Sequence, residues 1–558
     1  MYLDFLIFIL FYFLAINSTI GYGYLIAHIS KINFKFFDIS FLGLLGIFVL
    51  LLLSYISHLF FSHNYMHNSL ILIVGISSVI YFFLKKKNNN LIKLNIFFLL
   101  IFISFIIFKS HDDFSYYHFP YTYYLTQTEI VLGIGNFNHG FRTPSSIFYL
   151  NSLFYLPFIK YHLFHIGAIM VMGFSCYHFL DLINNGLNKK KYDKFFFLSL
   201  FFFVFTVIFF YRVAEHGTDR SAQILIFILI IKLLRIINFN IGIKENIVEI
   251  LIILGLVISL KAFYVLYLVF CLPVFYYFIK DKKLNNLILI FKSYFFYLFL
   301  LLIINVIFVN YVNTGCLIYP LSITCFEFFD WSIPLKEVSL MNDWYEQWSK
   351  AGANPNFRVE NPEHYIQNFN WVNNWFEKYF FTKVSDFLFG LFILILVFLV
   401  MFRSKRKKLP LVYKGERFIY IIVIILFFEW FYNHPALRYG GYQLICLLIF
   451  LPISSILSRK SNLKNVIFKT KILLLIAMTI FFSRNINRLI NENSQYAFKP
   501  LINPFYRITI NHFSIQNKFR EIVNNKLFCS SDKTQCVDNL GINVKEKNGY
   551  KIFYREKN

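Results

Sequence analysis

Charge is what this sequence has least of. Only 15% of its 558 residues are charged, against 58% apolar. A soluble chain of this length has no need for so much apolar surface, so the class is a polytopic membrane protein. Acidic residues are scarcest, 29 against 54 Lys and Arg, leaving a net charge of +25. In a membrane chain that excess sets orientation and meets anionic headgroups, so no nucleic-acid partner is expected. Phe, Ile, Asn, Lys and Tyr all have AT-rich codons, so base composition accounts for part of the 75 Phe and 38 Tyr.

Other absences are equally selective. The apolar start lacks a basic n-region and a cleavage site, which makes it a retained helix and not a signal peptide. No strand precedes Gly133, Gly135 and Gly140, so their spacing is not a dinucleotide fingerprint. There is no long repeat. The seven Cys include no Cys-x-x-Cys zinc spacing. Cys176, Cys271 and Cys446 fall in apolar segments and read as packing residues.

What is present is about fourteen apolar segments: 5–27, 41–61, 69–84, 94–108, 165–182, 195–210, 222–237, 247–260, 263–279, 287–309, 386–402, 417–431, 441–457 and 470–483. The expected fold is therefore an all-α polytopic domain over 1–483 and a small tail domain over 484–558. Connections of one parity hold "KKKNNNLIK", "KKKYDK", "KDKK", "RSKRKK" and "SRKSNLK", 28 Lys and Arg in all, against 4 in the short connections of the other parity. By the positive-inside rule the basic set is cytoplasmic. Both termini and the loops 109–164 and 310–385 then lie outside, on an inner (plasma) membrane.

The unusual polar residues gather on that outer face. Both long loops carry aromatic-rich runs that read as amphipathic interfacial helices. The second holds Trp331, Trp344, Trp348, Trp371 and Trp375, five of the chain's six Trp, which places it on the bilayer surface. Two Cys pairs, Cys316 with Cys325 and Cys529 with Cys536, fall where oxidation is allowed and are expected disulfides. The tail stretch "YKIFY" hints at a short strand.

The stretch "HDDFSYYH" (111–118) opens the first long loop. Asp112 and Asp113 suit helix capping, or a general base that takes a proton from an acceptor hydroxyl. Tyr116, Tyr117, His111 and His118 are candidates to line the pocket, and two Asp with a His can hold a divalent metal ion or none. Lys261 is a charge between two apolar runs, expensive unless it snorkels or has a partner. Arg142, Arg212, Arg220 and Arg438 are on the same face, and guanidinium forks match phosphate oxygens. Glu215, His216 and Asp219 are available simply to pair with these arginines.

An acidic motif just past a hydrophobic helix, opening an external loop of amphipathic helices, resembles the integral-membrane glycosyltransferases of the GT-C superfamily. Its members include protein O-mannosyltransferases and lipid A aminoarabinose transferases. "NTGCLIYP" (313–320), with Tyr319, looks like the segment that opens a later external loop in bacterial members. In the family the acidic loop usually follows the first helix; here it follows the fourth apolar segment. The resemblance implies a polyprenyl-phosphate-linked sugar donor, an extracytoplasmic acceptor (glycan, lipid or protein) and inversion at the anomeric carbon. Asp112 or Asp113 would be the catalytic carboxylate, and Lys261 with the outer arginines would grip the donor phosphate. Two other classes share the outline. An O-antigen-type polymerase or ligase has large outer loops but needs no carboxylate pair at the start of the first. A transporter or flippase places polar groups at mid-membrane, and here the helix middles are nearly uncharged. Alkaline-phosphatase fusions at Asn136 and Asn354 are expected to be active; cytoplasmic readings there would overturn the topology.

Overall fold

The computed structural model describes residues 2–31, 38–85, 89–215, 217–239, 242–353, 359, 361–404, 413–459, 464–509, 512, 542–547 and 549–555. Four helices come first, α1 (Leu3–Ile29), α2 (Ile39–His58), α3 (Tyr65–Lys85) and α4 (Asn89–Ile101). The first long loop carries the short helices α5 (Phe119–Gln127) and α6 (Ser146–Ser152). Then follow α7 (Ile166–Asn188), α8 (Lys194–Phe209), α9 (Gly217–Asn238) and α10 (Ile243–Leu260). A 3-10 helix, Ala262–Cys271, runs into α11 (Leu272–Lys280), and α12 (Leu284–Lys292) leads to α13 (Tyr294–Thr314). The second long loop holds α14 (Leu335–Lys350), α15 (Pro362–Ile366) and α16 (Val372–Trp375). A π-helical stretch joins α16 to α17 (Ser385–Met401), and α18 (Glu416–Asn433), α19 (Gly441–Ser458) and α20 (Val466–Tyr496) complete the helices.

Among the described residues ten helices are long and apolar enough to cross a membrane, so the chain is a multi-pass, predominantly helical membrane protein. Four more of the predicted apolar segments are also helical. The helices at 90–104 and 194–209 are shorter but apolar. α10 and α18 have 18 residues each and carry three ionisable residues: Lys244, Glu245 and Glu249 in one, Glu416, Arg417 and Glu429 in the other. The 3-10 helix of ten residues before the nine of α11 lengthens that segment to about 33 Å, the thickness of a bilayer core.

Helix starts follow local chemistry. Asp38 accepts from Phe41 N at 2.7 Å and begins α2; Asp193 accepts from Phe196 N at 3.1 Å and begins α8. Gly315, at φ +81°, ends α13 in the left-handed conformation that glycine adopts without penalty. α2, α7 and α9 are the most enclosed spans, while α3, α17 and α20 face outward. α1 closes on α2 and α3 through small residues: a Cβ on Gly46 would lie 1.8 Å from the Thr19 carbonyl oxygen, and one on Gly21 would lie 1.9 Å from that of Gly75.

Connections of one parity meet at one end of the bundle. His63 Nδ1 is 2.7 Å from Ser152 Oγ, Gly133 N donates to Val312 O at 2.7 Å, and Ala436 N donates to Ser349 Oγ at 3.2 Å. The basic connections meet at the other end, where Lys194 pairs with Glu416 at 2.7 Å.

The tail differs from expectation. Residue 484 is not a boundary, because α20 continues to Tyr496. Past the apolar window, Asn485, Arg488 and Glu492 continue the buried face, and they meet polar partners there. Arg488 donates to the carbonyls of Ile103 and Ile106 (3.0 and 2.7 Å), and the amides of Phe108 and Lys109 donate to Glu492 (3.3 and 3.4 Å). The expected strand is present: β2 (Tyr550–Arg555) pairs antiparallel with β1 (Ile542–Lys547), Val544 opposite Phe553. The hairpin docks on the first loop, Leu132 N donating to Lys551 O at 3.0 Å and Phe553 N to Leu132 O at 2.8 Å. Cys316 and Cys325 form a disulfide in the second loop; Cys529 and Cys536 lie outside the described residues.

Gly46→Leu is expected to force α1 away from α2, costing about 2 kcal/mol or more. The measurement is thermal unfolding of the purified protein in detergent; an unchanged midpoint would contradict this packing.

Candidate functional site

The "HDD" stretch begins a helical turn, and His111 serves its first amide. Asp113 N donates to His111 Nδ1 at 3.2 Å, and the Asp113 side chain makes no capping bond. Asp112 is exposed. The next residues, Phe114–His118, form a π-helical turn, a wide turn frequent at functional sites. Asp113 is therefore left to face charges from elsewhere in the chain.

Those charges come from three separate helix ends. Arg438 Nη2 lies 3.5 Å from Asp113 Oδ2, and Arg438 Nε lies 3.3 Å from Asp219 Oδ2. Asp219, in the first turn of α9, also holds Lys261 Nζ at 2.5 Å. Lys261 follows the last residue of α10. Both positions suit the helix dipole, an anion at an N-terminus and a cation at a C-terminus. Aromatic faces complete the cluster: Arg438 lies 5.2 Å over Trp348 and 5.3 Å over Tyr439, and Lys261 lies 5.2 Å over Tyr439.

Burial alone would push the Asp113 carboxyl up. The hydrogen bond with His111 and the charge of Arg438 more than offset this and hold it well below the usual carboxylate range. Burial pushes His118 down to about 3, so it is neutral at physiological pH; its Nε2 is buried and has no hydrogen-bond partner among the described residues. Burial also lowers Lys261, with Asp219 opposing the shift.

The loop that carries Arg438 is held on all sides. Indole N–H groups of Trp375 and Trp430 donate to the carbonyls of Pro435 and Ala436, each at 3.0 Å. Leu437 N donates to Tyr379 Oη at 2.9 Å, and Gln223 Nε2 donates to Arg438 O at 2.7 Å. Two of the five Trp of the second loop are thus engaged inside the protein, while Trp344 is 40% exposed. Trp371 and Trp375 are buried in protein, 0% and 3% exposed, because their N–H groups find carbonyl partners there.

The other candidate residues divide. Tyr117 lies in the field of Asp113 and Arg438, which act on its hydroxyl, and Tyr116 is half exposed. Arg142 is elsewhere, fully buried, donating to Gly135 O at 2.9 Å, Tyr319 Oη at 3.1 Å and Glu337 Oε1 at 2.6 Å. Glu337 also meets Arg555 of β2 at 3.3 Å, so this trio ties the two long loops to the tail hairpin. Arg212 pairs with Glu215, which Arg488 of α20 approaches at 3.7 Å. Arg220 points to the carbonyl of Arg212 and lies 5.5 Å over Phe210. These three arginines brace the head and do not join Asp113. His216 lies outside the described residues. Asp219 is the residue that sequence reading undervalued: as one more possible partner for arginines it gave no sign of holding Lys261 as well. Among the described residues no group of three or more His, Cys, Asp or Glu is placed to hold a metal ion. A surface cleft lined by Tyr192, Asn465, Val466, Ile467, Phe468 and Lys471 is at the basic end, away from Asp113.

A family model described as Domain of unknown function (DUF8201) matches residues 5–445, a stretch that contains Asp113, Asp219, Lys261 and Arg438. No curated protein and no solved structure matches the chain.

Glu337→Gln would leave Arg142 buried beside a neutral partner. Glu337 is itself 28% exposed at the side chain, so solvent screens part of the loss, and a destabilisation of about 2 kcal/mol is expected. Burial pushes the Glu337 carboxyl up, but Arg142 and Arg555 hold it below its ordinary value. Its contribution is therefore full above the ordinary Glu value of about 4.3 and is lost as pH falls through the lower folded value. Thermal melts of wild type and Glu337→Gln should differ at neutral pH and converge in acid; equal melts at neutral pH would contradict the assignment.

Proposed function

The chain belongs to the family described as Domain of unknown function (DUF8201), and from that premise and the geometry of its charged cluster we propose that it is a membrane glycosyltransferase of GT-C type. It moves a sugar from a polyprenyl-phosphate donor to a hydroxyl acceptor on the outer face of an inner (plasma) membrane, across which fourteen helices pass. The observation that carries the reading is Asp113, 3.5 Å from Arg438, with Lys261 joined to the same guanidinium through Asp219. One carboxylate and two cations at headgroup depth are what a phosphate-linked donor requires.

In this reaction the acceptor oxygen attacks the anomeric carbon from the side opposite the phosphate. The bond between that carbon and the phosphate oxygen breaks, inverting the centre. Asp113 takes the hydroxyl proton, and polyprenyl phosphate leaves with its charge opposite Lys261 and Arg438. The sugar phosphate is already activated, so no nucleotide is needed. The disulfide between Cys316 and Cys325 at the same end supports an oxidising, extracytoplasmic compartment, as does the concentration of Lys and Arg in the opposite connections.

The test is turnover of a polyprenyl-phosphate-linked sugar in proteoliposomes. Asp113→Asn keeps the shape and removes the base, and is expected to lower turnover by about 10²–10⁴-fold, while exposed Asp112→Asn stays within about threefold. Because Asp113 is held low in the donor-free enzyme, wild-type kcat/KM should show no acid limb from it between about pH 5 and 8; that limb belongs below the ordinary Asp value of about 3.9. Wild-type turnover by Asp113→Asn would end this reading.

A further inference from the structure

Asp113 and Asp219 bring two negative charges to the cluster, and Lys261 and Arg438 bring two positive ones. The set is neutral as it stands. The two carboxylates are not equivalent. Asp219 is 8% exposed at its side chain and touches both cations, Lys261 at 2.5 Å and Arg438 at 3.3 Å. Asp113 is 32% exposed and touches only one of them, at the longer distance of 3.5 Å. An arriving phosphate therefore meets one buried carboxylate shared by both cations and one more exposed carboxylate held by Arg438 alone. The Arg438 side chain is 31% exposed and lies 5.2 Å over Trp348, and the buried Nε2 of His118 has no hydrogen-bond partner among the described residues.

We propose that Asp219 is the positioning residue of the anion site, holding Lys261 and Arg438 together, and that Asp113 is a displaceable occupant whose place at Arg438 the donor phosphate takes. The exchange leaves the site with the same charge balance and frees the Asp113 carboxylate at the moment a donor is bound. The empty enzyme thus keeps its base paired, and donor arrival releases it. This rests on the glycosyltransferase reading and deepens it.

Electrostatics without positioning predicts that neutralising either carboxylate tightens binding of an anion. The proposal predicts opposite signs. The probe is a ten-carbon isoprenyl phosphate monoester titrated into the full-length protein in detergent and read by tryptophan fluorescence, with Trp348→Phe abolishing the signal. Asp113→Asn removes the competitor and should tighten the probe about fivefold. Asp219→Asn should weaken it about tenfold, and Asp219→Glu, which keeps the charge, should recover most of that loss even if the amide variant proves unstable. Tightening in both variants, or no change in Asp113→Asn, overturns this inference alone. A wild-type protein that does not bind the probe overturns the donor-site reading itself.

Discussion

Asp219 stands between Lys261 and Arg438, and segments from four parts of the chain converge on that contact at one end of the bundle. A lone ammonium between two apolar helices is costly in a low-dielectric setting, and so is a guanidinium packed on aromatic rings. One carboxylate at the start of α9 meets both. It ties the end of α10, the start of α9 and the loop before α19 to a common point, and Asp113 from the first long loop comes to the same point. Charge balance at the helix ends, more than any single apolar contact, decides where these four segments meet.

The remaining ion pairs serve a different purpose. Arg142, Glu337 and Arg555 join loop to loop to tail, and Arg212, Glu215 and Arg488 join the connection between α8 and α9 to α20. Arg142 is buried against Glu337, and Arg488 donates to two backbone carbonyls. The cluster at Asp113 differs in its charge balance: each of the other sets has one carboxylate between two arginines, whereas here two carboxylates meet two cations. The rigid loop behind Arg438, held by indole donors from Trp375 and Trp430, fixes the cation without filling its open side.

Much of the fold was legible because a bilayer leaves few options. Apolar runs must be helices, and Lys and Arg in alternate connections separate the two ends. The strand in "YKIFY" was legible from its aromatic and β-branched residues, and one Cys pair from its closeness in sequence. What the sequence concealed were residues whose role depends on distant partners. α20 runs past its apolar window because Arg488 and Glu492 find polar groups on the segment after α4, nearly 400 residues away. Trp371 and Trp375 looked like interfacial anchors until the loop carbonyls they serve were in view. Among five candidate cations, only Lys261 and Arg438 reach the carboxylate cluster. Nothing local in "GFRTP" or "YRVAEHGTDR" distinguishes Arg142, Arg212 and Arg220 from them.

The most direct measurement is an electron cryomicroscopy map of the protein in lipid nanodiscs with a non-hydrolysable polyprenyl-phosphonate sugar. The account predicts phosphonate density between Lys261 and Arg438, with Asp219 still touching both and the Asp113 side chain turned from Arg438 toward the sugar. Density at Arg212 and Arg220 instead, or a ligand bound while Asp113 and Arg438 keep their contact, would contradict it.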